Sequence, residues 1–197
     1  MIVLLRHGQT RLNAEGRLAG RLDVPLTGVG EVQAKAAAEA IGARRAPVRV
    51  VSSPLLRARQ TAAAFGLPVE VDDRWVELDY GVHDGRAPSD MPEEMWAAWR
   101  ADPAWAPEGG ESLVSVGRRV RHACEELSVS VPPDADVVVV SHVSPIKAAV
   151  AWALGVGDET SWRLFLAPGS ITVIGGGERG PSLRTFNDTT HLGLSSW

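Results

Sequence analysis

The sequence predicts an α/β fold, a mostly parallel central sheet flanked by helices on both faces, and three observations predict it. Short runs of β-branched and aliphatic residues alternate with longer segments at helical spacing. Two of those helical segments open on a Ser-Pro pair, a helix-start signal. Near the end of the chain the rhythm changes to strand-like runs around glycines, which suggests antiparallel strands closing a sheet edge. The 197 residues suit one domain spanning 1–197 rather than two.

In chain order, Ile2 to Leu5 forms the first strand, and Val29, Val32, Ala36 and Ala40 mark the apolar stripe of a first helix. Val48 to Val51 is the next strand, followed by a helix with Ser53 as N-cap and Pro54 in its first turn. A short strand at Val69 to Val71 comes next. The stretch 86–110 interrupts the pattern with Pro88, three further prolines and the patch Met91, Met95, Trp96, Trp99 and Trp105, and it reads as an inserted helical lid region. Met and Trp at helical spacing also suit plain core packing. Ser112 starts a helix with Leu113, Val116, Val120, Cys124 and Leu127 on one face. Val137 to Val140 is a buried strand, and Ser144 and Pro145 open a helix whose apolar face holds Ile146, Val150 and Leu154. Residues 163–187 read as two or three short strands around Gly175 to Gly177.

Composition excludes several classes. Twenty Lys and Arg against 24 Asp and Glu give a net charge of −4, contrary to general nucleic-acid affinity. No apolar run approaches the roughly 20 residues of a membrane helix, and no signal peptide precedes Ile2, so a cytoplasmic protein is expected. Cys124 is alone, which excludes an intrachain disulfide.

Ligands in open α/β sheets bind outside the carboxyl ends of the strands. Arg6 and His7 follow the first strand directly, His142 follows the Val137 strand, Arg57 lies in the first turns after the Val48 strand, and Glu77 lies in the segment after Val69 to Val71. Each alone is weak, because single histidines and arginines are usually structural or solvated. Together they define one rim. Two imidazoles and a carboxylate suit a metal, but Arg6 and Arg57 beside them repel a dication and favour a phosphate. For phosphoryl transfer, His7 would attack phosphorus, Arg6, Arg57 and His142 would hold the equatorial oxygens with help from the N–H groups of the helix after His142, and Glu77 would protonate the leaving alkoxide.

These residues lie in the runs LLRHGQTRLN (4–13), GRLAGRLDVPLTGVGEVQA (16–34), SSPLLRARQTA (52–62), ELDYG (77–81), GGES (109–112) and SHVSPIK (141–147). In that order, over nearly the whole chain, they resemble the histidine phosphatase superfamily and its phosphoglycerate-mutase-like fold. The resemblance implies His7 as phosphorylated nucleophile, Arg6, Arg57 and His142 as phosphate pocket, Asn13 as a further phosphate contact, Glu77 as proton donor, and neither metal nor organic cofactor. Val143 stands where many members carry Gly, and Val82, His83 and Asp84 replace an aromatic and a Glu, which makes His83 a candidate specificity mark or a plain exposed histidine.

The insertion offers mainly Arg86 and Arg100 and is rich in Trp and acid, unlike the basic insertion of phosphoglycerate mutases. Water is therefore the expected final acceptor, and a metal-independent phosphatase of histidine acid phosphatase type, acting on a small-molecule phosphomonoester, is favoured. A 2,3-bisphosphoglycerate-dependent mutase and a non-catalytic phosphate-ligand or protein-binding module are the alternatives. A homodimer through a sheet edge stays open. Gly175, Gly177 and Gly180 fit GxGxxG, but Pro181 and a strand follow, which makes a turn. Arg118 and Arg119 read as a solvated face or a structural ion pair.

Overall fold

The computed structural model describes residues 1–44, 46–132, 134–177 and 180–193. Its elements in chain order are β1 (Ile2–Arg6), α1 (Arg11–Ala14), α2 (Gly28–Arg44), β2 (Arg49–Ser52), α3 (Leu56–Ala63), β3 (Val69–Val71), α4 (Glu93–Ala101), α5 (Leu113–Ser130), β4 (Val137–Ser141), α6 (Val143–Leu154), β5 (Ile171–Gly175) and β6 (Ser182–Asp188), with short 3-10 turns between. The strands form one sheet in the order β3-β2-β4-β1-β5-β6. The pairs β1–β4, β2–β4 and β2–β3 are parallel, while β5 and β6 join antiparallel at one side, as the glycine-rich closing segment suggests.

Because successive side chains on a strand point to opposite faces, the near-continuous apolar runs of β1 and β4 bury both sides. Leu4 and Val139 point into a core shared with α5 and α6, and Leu5 and Val140 into a second core with α2 and α3. The first of these cores also takes Met91, Met95 and Trp99 from the insertion. That stretch is helical as expected, and its Met and Trp stripe is core packing. Trp99 is 1 % exposed, stacks on Trp96 at 5.8 Å and meets Trp162 edge-on at 5.6 Å.

Two local expectations need correction. In α2 the buried positions are Gly30, Ala34, Ala37 and Ile41, whereas Val29 and Val32 are exposed. An alanine-rich helix offers little contrast between its faces, and close approach to a neighbouring backbone selects the glycine side. A Cβ on Gly30 would sit 2.2 Å from the Gln9 carbonyl oxygen, and one on Gly8 2.2 Å from that of Gly30, so only glycine fits either position. In α3 the helix begins at Leu56 rather than at Pro54. The Ser53 hydroxyl contacts His142 and accepts from Leu55 N–H, and Asp23 accepts the N–H of Leu56 at 2.6 Å, so the helix start is capped from another loop. Of the other two predicted starts, Ser112 caps α5 through Ser115 N–H, while α6 begins one residue before Ser144, at Val143 after the N-cap His142, with Pro145 in its first turn.

Candidate active site

The carboxyl ends of β1, β2 and β4 meet at one rim. The ladder runs one residue past the strands, with His7 N–H donating to Ser141 O at 3.0 Å and Ser53 N–H to Val140 O at 3.0 Å. These bonds fix the backbone on which His7 stands. Gly8 N–H donates to the Thr61 hydroxyl at 3.1 Å, and that hydroxyl donates to Arg57 O, which ties the loop carrying His7 to α3.

His7 is 2 % exposed, and its Nδ1–H donates to Gly8 O at 2.7 Å. The carbonyl accepts only, so the proton sits on Nδ1 and Nε2 keeps its lone pair. Arg57 Nε–H donates to that Nε2 at 3.2 Å. The His142 ring stands 5.0 Å from the His7 ring, centroid to centroid, and its Nε2 lies 2.7 Å from the Ser53 hydroxyl. Burial first, then the positive field of Arg57, holds both imidazoles well below the ordinary histidine pKa. Both are neutral at pH 7.

Arg57 is fully buried, and its outer nitrogens donate to Leu22 O at 2.7 Å and Gly20 O at 2.8 Å, which anchors the segment 17–27 over the site. Arg6 donates to Leu166 O, while its Nε–H, like His142 Nδ1, is buried without a partner among the described residues. Burial lowers Arg6 to about 10 and lowers Arg57 as well, with the Glu77 carboxylate opposing in both. They remain cations. Two buried guanidinium groups and an unpartnered N–H suit an anion.

Glu77 is buried and straddles the start of α6: Oε2 accepts from Val143 N–H at 3.0 Å, and Oε1 from Ser144 N–H at 3.1 Å and Leu78 N–H at 2.7 Å. The helix donors expected for a phosphate are thus engaged by Glu77, because a carboxylate complements a helix N-terminus. Arg119 donates to Glu77 O at 3.4 Å and Arg74 O at 2.6 Å and pairs with Glu111 at 3.0 Å, which buttresses the Glu77 segment. Arg119 is the structural ion pair expected of it, and Arg118 is exposed.

The structure therefore gathers Arg6, His7, Arg57, Glu77 and His142. Asn13 belongs instead to the capping box of α1, where its Oδ1 accepts from Thr10 N–H at 3.0 Å. His83 is half-buried in the turn Gly81–His83. Ser53, Thr61 and Arg119 were not expected as supports. All three stand in or just after runs already singled out, 52–62 and GGES, but the hydrogen bonds by which they act join distant segments and leave no local spacing. Among the described residues no three His, Cys, Asp or Glu side chains gather as metal ligands, and no helix is long and apolar enough to cross a membrane. A larger groove, about 710 Å3, opens at the opposite end of the sheet by Met1, Trp152 and Gly175, lined by none of these groups.

A mostly parallel α/β sheet with a paired imidazole and arginine cluster at its carboxyl rim defines the phosphoglycerate-mutase-like class. More particularly, the chain belongs to the histidine phosphatase superfamily (branch 1), whose profile matches residues 2–189. It is 39% identical over 199 residues to a bifunctional protein of Mycobacterium tuberculosis, an alignment that takes in 97% of this chain and 54% of the relative, so the chain spans about half the length of that relative. It is 34% identical to phosphoserine phosphatase 1 of Hydrogenobacter thermophilus, over 98% of this chain and 94% of the other. Among solved structures, mycobacterial glucosyl-3-phosphoglycerate phosphatase complexed with VO3 superposes with a TM-score of 0.86 at 38% identity, covering 95% of this chain and 98% of that one.

Proposed function

We propose that the chain is a metal-independent phosphomonoester hydrolase that works through a phosphohistidine on a small phosphorylated metabolite. The observation that carries this reading is the fixed tautomer of His7, with Nδ1–H on Gly8 O and the Nε2 lone pair turned to the Arg57 guanidinium. An ester phosphate drawn to Arg6, Arg57 and His142 presents its phosphorus to that lone pair. The Nε2–P bond forms, the ester P–O bond breaks, and Glu77, in its protonated form, gives its proton to the leaving alkoxide and is left as the carboxylate. Water then attacks the phosphohistidine, releasing phosphate, and its proton returns to Glu77. Catalysis is mostly positioning and charge stabilisation, which a rigid cationic pocket supplies. Asn13 joins the phosphate contacts once its amide turns from Thr10. An imidazole that stays neutral below pH 6.5 keeps its lone pair in acid, which supports an acid-active enzyme. Relatives named for phosphoserine and glucosyl-3-phosphoglycerate hydrolysis agree with the class.

The test is hydrolysis of an aryl phosphate with chelator present, from pH ~4.5 to 8. Wild type should release phosphate and His7→Ala should lose at least about a thousandfold. Full activity in the variant, or activity that chelator removes, refutes the mechanism; isomerisation of 3-phosphoglycerate with its bisphosphate primer and no hydrolysis replaces it with the mutase.

A further inference from the structure

The parallel pairing of β2 with β4 sets Ser52 beside Val140, so the chain leaves the two strands with Ser53 and His142 as neighbours. Ser53 N–H donates to Val140 O at 3.0 Å, and the Ser52 hydroxyl donates to Ser53 O at 2.8 Å, which holds the Ser53 backbone on both its polar groups. The Ser53 side chain is buried, and its oxygen meets two nitrogens. Leu55 N–H reaches it at 3.3 Å, and His142 Nε2 lies 2.7 Å away.

A backbone N–H can only donate, so the Ser53 oxygen accepts from Leu55. The hydroxyl proton then has His142 Nε2 as its one acceptor among the described residues. The opposite arrangement, with Nε2–H donating to Ser53, would bury the hydroxyl proton without an acceptor, at the cost of an unpaired polar group. It would also leave Nδ1 with a lone pair, which repels the oxygen of an anion. His142 is neutral, because burial and then Arg57 hold it well below the ordinary histidine pKa, so its ring carries a single proton. The bond made by one ring nitrogen decides which of the two bears that proton. His142 Nδ1 is itself buried without a partner among the described residues.

We infer that Ser53 is a positioning residue: by donating its hydroxyl proton to Nε2 it fixes His142 as the Nδ1–H tautomer, and so makes it a neutral donor to a phosphate oxygen. The inference rests on the phosphatase reading, in which His142 holds such an oxygen. With Nε2 on Ser53, only Nδ1 is left for that contact. The two histidines then share a tautomer and divide the work. His7 places its Nδ1–H on Gly8 O and keeps the Nε2 lone pair for phosphorus, whereas His142 gives its Nε2 lone pair to Ser53 and keeps Nδ1–H for oxygen. A fixed neutral donor stabilises charge on the phosphoryl group without any reorientation during the reaction.

The test reads the tautomer itself. Long-range proton–nitrogen correlation spectra of isotope-labelled wild type near neutral pH, with the His142 ring assigned by its loss in His142→Asn, should show the proton on Nδ1. A proton on Nε2 overturns the inference and needs no variant. Ser53→Ala should move the ring towards the Nε2–H form, weaken competitive inhibition by inorganic phosphate about tenfold, and lower kcat/KM on an aryl phosphate by a similar factor, the range of a hydrogen bond to a charged group. Ser53→Thr, which keeps the hydroxyl, should keep the Nδ1–H form and most of the phosphate affinity. A Ser53→Ala enzyme that loses kcat/KM while its tautomer and its inhibition by phosphate match wild type also overturns the inference, since Ser53 would then serve packing alone. Wild type that hydrolyses no aryl phosphate, yet carries the proton on Nδ1 and shifts the His142 signals when phosphate is added, overturns the phosphatase reading and upholds the role of Ser53.

Discussion

At the residue scale, the two neutral imidazoles make stability depend on pH. His7 and His142 are held well below the ordinary histidine pKa by burial and by Arg57, while the unfolded chain binds protons on both below about 6.5. The unfolded state then holds more protons, so their contribution is full above pH 6.5 and is lost as pH falls towards the folded pKa, at up to about 1.4 kcal/mol per pH unit for each ring. Urea midpoints between pH 7 and 5 should fall less steeply for His142→Asn than for wild type; parallel slopes would contradict a buried neutral His142. Arg57 carries a second prediction. Its removal leaves the Gly20 and Leu22 carbonyls without donors and His7 without its neighbour, so Arg57→Ala should cost about 2–4 kcal/mol and most of the activity. Arg57→Lys keeps the charge but not the fork and should recover little activity. Equilibrium denaturation and kcat on the same preparations check both.

At the element scale, the loop that carries His7 is positioned by a backbone contact with α2. Gly30→Ala places a Cβ 2.2 Å from the Gln9 carbonyl oxygen, which cannot give way as a flexible side chain does. It should destabilise by at least about 2 kcal/mol and lower kcat by displacing His7, whereas Gly42→Ala, on the same helix with open space, should be neutral or slightly stabilising. Thermal melts of the two variants separate packing from propensity. The same contact explains what was illegible in the sequence. The strands at Ile2, Val48 and Val137 were readable because β-branched runs bounded by helices carry a strong signal. The buried face of α2 was not, since Val29 and Val32 stand out on paper while the helix turns its small residues inward. Arg6, His7, Arg57, Glu77 and His142 were readable through their place after strands. Their supports, Ser53, Thr61 and Arg119, act by hydrogen bonds between distant segments that no local spacing encodes.

At the scale of the whole molecule, β1 and β4 contribute to the cores on both faces of the sheet, and the tryptophans of the insertion belong to one of them. We therefore expect residues 1–193 to unfold as one unit. Tryptophan fluorescence, to which the buried Trp75 and Trp99 contribute, should change at the same denaturant concentration as far-UV circular dichroism. An earlier fluorescence transition would mean that the insertion opens by itself as a separate cover.

The Gly8–Gly30 contact also divides the chain for anyone who would redesign it. On one side the loop carrying His7 is fixed by main chain against main chain, which no substitution can adjust in small steps. On the other, the wall beside Glu77 is made of side chains on α4, α6 and the turn at Trp162, which substitution changes by degrees. A redesign would therefore begin at the aromatic wall and leave the Gly8–Gly30 contact as it stands.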